Sequence, residues 1–332
     1  MVNLPSLHDV YRAHSRIRQM VRQTPLLASD SLTEESGAKS VHLKLECLQN
    51  TGAFKVRGAA NRILSLTDEE KQRGVITFST GNHGKAVAYV ARQAGIQAVV
   101  CLSEHVAPYR ADVIRKLGAE VSIKGHSQDE AEKNYHQLAA SRGFVPVVPF
   151  DDPMIIAGQG TIALEILAEL PDTDVLLIQL SGGGLLAGIA MAAKSIHPGI
   201  HIVGVSLKQS PAMLESVKAG RPVQVEEKDS IADSLLGGIG FDNRYTLPLV
   251  EKFADEHVLV SEEEIKDGMF HIFENHRLIV EGAAAVGVGA LIHQKINVKG
   301  KNVVTLLTGS SINSNEYIRI IQKRVNQSIT DA

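Results

Sequence analysis

Cysteine is scarce in this 332-residue chain, which holds only Cys47 and Cys101. Two thiols cannot build a disulfide framework, and neither lies in the close Cys or His spacing that binds zinc, so both read as buried small apolar side chains. The thirteen histidines are dispersed, with no i, i+4 pair beside a carboxylate, and no protein metal site is expected. Long apolar runs are missing as well. Val175-Leu176-Leu177-Ile178 is far shorter than the ~20 residues that cross a bilayer. No basic-then-apolar leader precedes Leu4, so the expectation is a cytoplasmic protein with no membrane partner. Nor is there a surplus of positive charge: the formal charge is -3 and the lysines and arginines are scattered, which leaves no electrostatic footprint for nucleic acid.

What the chain does have is length enough for about two domains of roughly 100–200 residues each, with 44% hydrophobic and 21% charged residues, an ordinary globular balance. Between Gly74 and Gly143, short β-branched runs (Val75 to Phe78, Ala98 to Leu102, Glu120 to Ile123) alternate with segments of helical periodicity, Lys85 to Ala94 and Tyr109 to Leu117. Such alternation predicts a parallel sheet. A second set begins near Asp151, with strands expected at Val175 to Leu180, Ile202 to Val205 and Val303 to Leu307, and an Ala-rich helix from Leu185 to Ile196. A helix from about Leu7 to Val21 and a strand from His42 to Leu45 are expected to pack with this second sheet. The chain then divides into a large domain (1–50 and 151–325) with a small domain (51–150) inserted. Ligands of open parallel sheets bind beyond the carboxyl ends of the strands, and Ser79, Ser181 and Thr308 all fall at such ends.

Three stretches could carry chemistry together. Lys55 sits in Thr51-Gly52-Ala53-Phe54-Lys55-Val56-Arg57-Gly58; Ser79-Thr80-Gly81-Asn82-His83-Gly84 and Ser181-Gly182-Gly183-Gly184-Leu185 each link a strand to a helix. A lysine is usually a solvated surface charge, and Ser79 or Thr80 could be a plain N-cap. A Schiff-base cofactor, however, needs a nucleophilic amine, a phosphate cradle and donors for its ring oxygen at once. Helix dipole and free amides make Ser181 to Gly184 an anion site, and the Ser79 to Gly84 loop could hold a substrate carboxylate. Gly182 to Ala187 also satisfies the loose G-x-G-x-x-A dinucleotide pattern, but the strand ending at Ser206 supplies no acid for a ribose.

The Lys55 stretch, Ser79 to Gly84, Ser181 to Leu185 and Thr308-Gly309-Ser310 resemble, in order and spacing across nearly the whole chain, the four signatures of fold type II pyridoxal-phosphate enzymes, the threonine dehydratase and serine racemase family. Within that family, Ala232 to Tyr245 and Val280 to Ala285 are similar to the dehydratase of hydroxyectoine utilisation. The resemblance implies an α/β protein of tryptophan synthase β-like fold, with two open, twisted, mostly parallel sheets flanked by helices and pyridoxal 5'-phosphate in the cleft between domains. Lys55 would bind the cofactor covalently and move the α-proton, with Phe54 packed near the ring. Asn82 would hydrogen-bond the ring oxygen, Gly182, Gly183, Gly184 and Leu185 would hold the phosphate, and Thr308 would face the ring nitrogen. Ser79, Thr80, Gly81, Asn82 and His83 would form the substrate side, Thr80 with a catalytic part on the opposite face.

The implied activity is removal of water and ammonia from a β-hydroxy amino acid, L-threonine or L-serine, by a homodimer or homotetramer. A 3-hydroxy-2,4-diaminobutyrate from hydroxyectoine, β-replacement, racemisation and a non-catalytic binding protein remain as alternatives. Thr80, where the racemase has serine, disfavours racemisation, and Ser206 to Met213 lacks the racemase's metal-binding carboxylates. Ala53 also replaces the usual serine. Arg57 and Glu281 are left open, the first because its direction is unknown, the second because a helix-opening acid needs no function to explain it.

Overall fold

The computed structural model describes residues 3–79, 81–126 and 128–330. Its strands are β1 (Leu26–Ala28), β2 (Ser40–Lys44), β3 (Val75–Phe78), β4 (Ala98–Leu102), β5 (Glu120–Ile123), β6 (Val145–Pro146), β7 (Val175–Gln179), β8 (His201–Leu207), β9 (Glu256–Val260) and β10 (Asn302–Leu306). They form two sheets, of order β1-β2-β10-β7-β8-β9 and β5-β4-β3-β6. Every pairing is parallel except β1 with β2. Parallel neighbours force the chain to return over a face, and helices cover both faces.

The most apolar strands go to the centre of the larger sheet. All residues of β7 and β10 are buried, and their side chains divide by the period of two. Leu176, Ile178, Val304 and Leu306 face a core shared with helices Leu7–Ile17, Pro153–Glu169 and Gly184–Ile196. Val175, Leu177 and Val303 face one shared with helices Glu262–His276 and Gly282–Ile292. The smaller sheet packs Val75, Ala98, Val100 and Leu102 against helices Lys55–Leu64, Asn82–Gln93 and Pro108–Lys116. Cys47 and Cys101 are buried, and burial pushes their thiols up to about 12 and about 11, so both stay protonated.

Several boundaries differ from the sequence reading, three of them for a visible reason. The first helix ends at Ile17, because the Met20 and Val21 amides both donate to the Ile17 carbonyl in a tight turn, which carries those two side chains onto the smaller sheet's core. The helix expected from Lys85 begins at Asn82, with Gly81 as its N-cap. Strand β8 runs from His201 to Leu207, longer than 202–205, since β7 and β9 pair with it from both sides. No described helix is long and apolar enough to cross a membrane.

Helix Lys55–Leu64 meets helix Pro153–Glu169 backbone to backbone. A Cβ on Gly158 would lie 2.7 Å from the Cα of Gly58 and from the Arg57 carbonyl. Gly158→Val therefore has nowhere to place its side chain without moving the helix that begins at Lys55. We expect a loss of about 1–3 kcal/mol from overpacking, read in thermal unfolding, together with weaker retention of any group bound at Lys55.

Candidate active site

Helix Lys55–Leu64 starts at Lys55, and the chain before it is stitched to the segment after β10. The Phe54 amide donates to the Thr308 carbonyl at 3.0 Å, Ala53 bridges Gly309, and the Ser310 amide donates to the Gly52 carbonyl at 2.9 Å. These bonds set Lys55 beside Thr308, which is itself 3% exposed. The Lys55 amine donates to the Pro149 carbonyl at 2.8 Å and lies 5.3 Å from the centre of the Phe54 ring. Burial lowers its pKa to about 8, against the opposing pull of Glu281. Arg57 takes no part in that shift. It turns away from the cleft and is held by Glu46 and Glu165, so desolvation alone makes the amine accessible near neutral pH.

The second stretch opens helix Asn82–Gln93. Thr80 lies outside the described residues. Ser79 Oγ accepts from the Gly81 amide at 3.3 Å, and Gly81, the N-cap, contributes no side-chain cap, which leaves first-turn amides open toward the loop. His83 is buried and hydrogen-bonds the Val147 carbonyl through Nε2 at 2.9 Å. Because a carbonyl only accepts, Nε2 carries the hydrogen. Burial, and then the charge of Lys55, lowers the His83 pKa to about 3, so the ring is neutral at any working pH. Asn82 is buried too, and its Nδ2 donates to Glu281 at 2.9 Å (Oε1) and 3.1 Å (Oε2), while its Oδ1 has no partner among the described residues.

Glu281, left open by the sequence, faces this loop. It is 6% exposed and also accepts from the Ser311 amide at 2.9 Å and Ser234 Oγ at 3.3 Å. Burial raises its pKa above the usual carboxylate range, with the Asn82 bond opposing. Next to it, Lys85 donates to Ser311 Oγ at 2.9 Å.

The third stretch leaves β7 and enters helix Gly184–Ile196. Gly183 is its N-cap at φ 88°, a left-handed backbone that a side chain would strain, and no side chain caps the helix. The ring of Phe150 packs under this turn, so close that a Cβ on Gly182 would lie 2.4 Å from it. Behind Gly183 stand Met213 and Thr246. The Asp151 carboxylate fixes that wall by accepting the amides of Arg244, Tyr245 and Thr246 at 2.7–2.9 Å. Leu185 is buried in the core between helices, so its backbone, not its side chain, serves the turn.

The Lys55, Asn82-His83, Gly182-Gly184 and Thr308 positions thus converge. Pro149 and Phe150 join the lysine to the glycine turn, and Glu281 joins Asn82 to the 309–311 segment. Sequence reading missed Pro149, Phe150 and Asp151, for which Pro-Phe-Asp-Asp beside a helix start gave only a turn signal. Pyridoxal phosphate fits what is present: a desolvated amine, a helix N-terminus of small residues without a side-chain cap, and an orphaned buried amide oxygen that needs a partner. Among the described residues, no group of three or more His, Cys, Asp or Glu side chains is placed to hold a metal ion.

Residues 17–309 match the family model described as pyridoxal-phosphate dependent enzyme, and the chain belongs to that family. It is 40% identical over 318 residues to the L-threonine ammonia-lyase of Thermotoga maritima, covering 96% of this chain and 78% of that one. Identity to a catabolic L-threonine dehydratase of Staphylococcus aureus is 37% over 327 residues, covering 98% and 94%. Among solved structures, maize serine racemase superposes with a TM-score of 0.90 at 29% identity, covering 98% of this chain and 99% of that one. The two-sheet α/β architecture is therefore the tryptophan synthase β-like fold, and the cofactor is pyridoxal 5'-phosphate. The dinucleotide alternative is set aside.

Proposed function

We propose that this pyridoxal-phosphate dependent enzyme removes water and ammonia from a β-hydroxy amino acid, L-threonine or L-serine, leaving a 2-oxo acid. The observation that carries the reading is similarity along nearly the whole chain to two relatives named for L-threonine. When bound, the cofactor supplies an electron sink that acidifies the α-hydrogen of an attached amino acid. The chain supplies the rest. Lys55 anchors the cofactor, and its amine, freed when substrate binds, takes the α-proton. Asn82 would hold the ring oxygen, the amides of Gly182, Gly183, Gly184 and Leu185 would hold the phosphate, and Phe54 would pack near the ring. Thr308 offers the ring nitrogen a hydroxyl rather than a carboxylate, so nothing there fixes a proton on it, which favours prompt loss of the β-hydroxyl. The Ser79–His83 loop receives the substrate carboxylate through backbone amides, since the neutral His83 ring already gives its one N–H to the Val147 carbonyl and adds no charge to compete with Lys55.

The test is to mix purified protein and pyridoxal phosphate with each amino acid and assay 2-oxo acid and ammonia. Equal release of both from L-threonine or L-serine supports the reading; a bound cofactor with no release from either removes it. The same assay with 3-hydroxy-2,4-diaminobutyrate examines the finer resemblance to hydroxyectoine dehydratase. One feature supports that second substrate: the two segments that carry the resemblance meet, with Ser234 Oγ donating to Glu281 at 3.3 Å and the neighbouring Asp233 within reach of its charge, and carboxylates suit an additional amino group. Homodimer or homotetramer is the proposed assembly, which light scattering measures directly.

A pH dependence follows from Lys55. Only the neutral amine attacks, and its pKa is about 8. Capture of pyridoxal phosphate by cofactor-stripped protein should quicken about tenfold per unit from pH 6 to 7.5 and level off above pH 8. A rise that continues to pH 10 would mean an ordinary, solvated lysine.

A further inference from the structure

Asn82 turns its amide the wrong way for a simple donor to the cofactor's ring oxygen. Among the described residues, both of its close contacts run from Nδ2 to Glu281, and the atom without a partner is Oδ1, an acceptor, in a side chain only 7% exposed. An acceptor facing the ring oxygen stabilises it only when that oxygen carries hydrogen. If the amide turns over, Nδ2 meets the ring oxygen, which can then be anionic. Oδ1 then meets Glu281, and two acceptors face each other unless the carboxyl is protonated. The two states differ by one proton moved from the carboxyl to the ring oxygen and one half-turn of the amide, with no proton gained or lost overall.

Resting on the cofactor reading above, we propose that Glu281 and the cofactor's ring oxygen share one proton through the amide of Asn82, so that the turn of this amide decides whether the ring oxygen is anionic. The surroundings suit a carboxyl that can hold the proton. Glu281 is buried at the start of helix Gly282–Ile292, and a Cβ on Gly309 would lie 2.7 Å from its Oε1, so the backbone keeps it from swinging out. The ionised form is met by the Ser311 amide and the Ser234 hydroxyl. Asp233 repels that charge and is itself paired with Arg110 at 2.9 Å. Lys55 and Lys85 attract it, and Cys47 is a neutral thiol within its field. Neither state is left with an uncompensated charge, which a balanced exchange requires. Glu281 is a positioning residue here, acting on the cofactor through Asn82.

The test reads the absorption of the bound cofactor, independent of turnover. The anionic-oxygen form absorbs in the visible and the protonated-oxygen form in the near ultraviolet. Glu281→Gln can give Asn82 Oδ1 a permanent N–H while its own oxygen still accepts from Ser311, which fixes Nδ2 toward the ring. Its near-ultraviolet band should fall at least threefold relative to the visible one. Asp233→Asn removes repulsion from Glu281 and frees Arg110, so the carboxyl holds its proton less well. The ratio should then move the other way, by about threefold for each half unit of proton affinity. Opposite shifts support the exchange, as does the Asp233→Asn shift alone if Glu281→Gln does not fold. Unchanged ratios, or shifts of both variants in one direction, overturn it. A wild-type protein with no bound chromophore would instead count against the cofactor reading itself.

Discussion

Lys55→Ala should bind pyridoxal phosphate without a covalent bond and lose activity by about 10³-fold or more, the scale expected when a group that both anchors the cofactor and transfers the proton is removed. The glycine turn, Asn82 and the helix dipole are untouched by the substitution, so the cofactor should still associate, but gel filtration should strip it from the variant and not from the wild type. Added methylamine should restore part of the rate, since a small amine can enter the space that the side chain leaves. Retained covalent cofactor in Lys55→Ala would show that another lysine carries it, with Lys85, which donates to Ser311, the next to test. Folding should not suffer. The folded pKa of Lys55, about 8, lies below the ordinary 10.5 because burial disfavours the charged amine. The charged lysine therefore costs stability below pH 8, and that cost fades as pH rises from 8 to 10.5. Cofactor-stripped wild type should gain stability across that window, and Lys55→Ala, stripped likewise, should lack the gain while being no less stable at pH 7.

That contrast between a chemical lysine and an ordinary one was legible in part. Ser79 to Gly84, Ser181 to Leu185 and Thr308 pointed to one cleft because each follows an apolar strand, and the polarity of parallel strands places such loops at one edge; Lys55 joined them through its motif alone. Strand centres were equally plain, since β7 and β10 are mostly apolar, with Val175 to Ile178 and Val303-Val304 at their hearts. Side-chain direction was not. Arg57 lies two residues beyond Lys55, and two helical steps of 100° turn it to the far side of the helix, yet sequence alone does not say which side is the cleft. Glu281 had the opposite difficulty. An acid at a helix start is favourable anywhere, so only the packing of the 309–311 segment against Asn82 distinguishes it. Phe150 and Asp151 act through contacts with residues more than thirty positions away, at Gly182 and at Arg244 to Thr246, and no local pattern announces them.

Arg57 and its partners carry the largest expected loss of stability. The guanidinium donates to Glu46 at 2.8 Å through Nε and 2.8 Å through one terminal nitrogen, and to Glu165 at 2.6 and 2.8 Å. Lys44 donates to Glu165 at 2.6 Å and to the Thr24 carbonyl at 2.6 Å. Arg57, Lys44 and Glu46 are fully buried and Glu165 nearly so, and two cations balance two anions. The group joins the end of β2, helix Lys55–Leu64 and helix Pro153–Glu169, so it fixes the first turn of the helix that presents Lys55. A balanced buried cluster adds little over an apolar one of the same shape, but removing one member strands a charge. Arg57→Met should therefore cost about 3–5 kcal/mol in urea unfolding and misplace Lys55 as well. Pairing it with Glu46→Leu should recover a good part of that loss, because the double variant keeps Lys44 matched to Glu165 and leaves no lone carboxylate. Burial raises the Glu165 carboxyl, but the bonds and charge of Arg57 and then Lys44 outweigh it and hold the pKa below its ordinary 4.5. A depressed folded pKa gives stability that is present above 4.5 and lost as pH falls through the folded value. Wild type should thus lose stability more steeply than the double variant below pH 4.5. Equal acid sensitivity, with no recovery in the double variant, would mean that packing rather than charge balance sets the cost at Arg57.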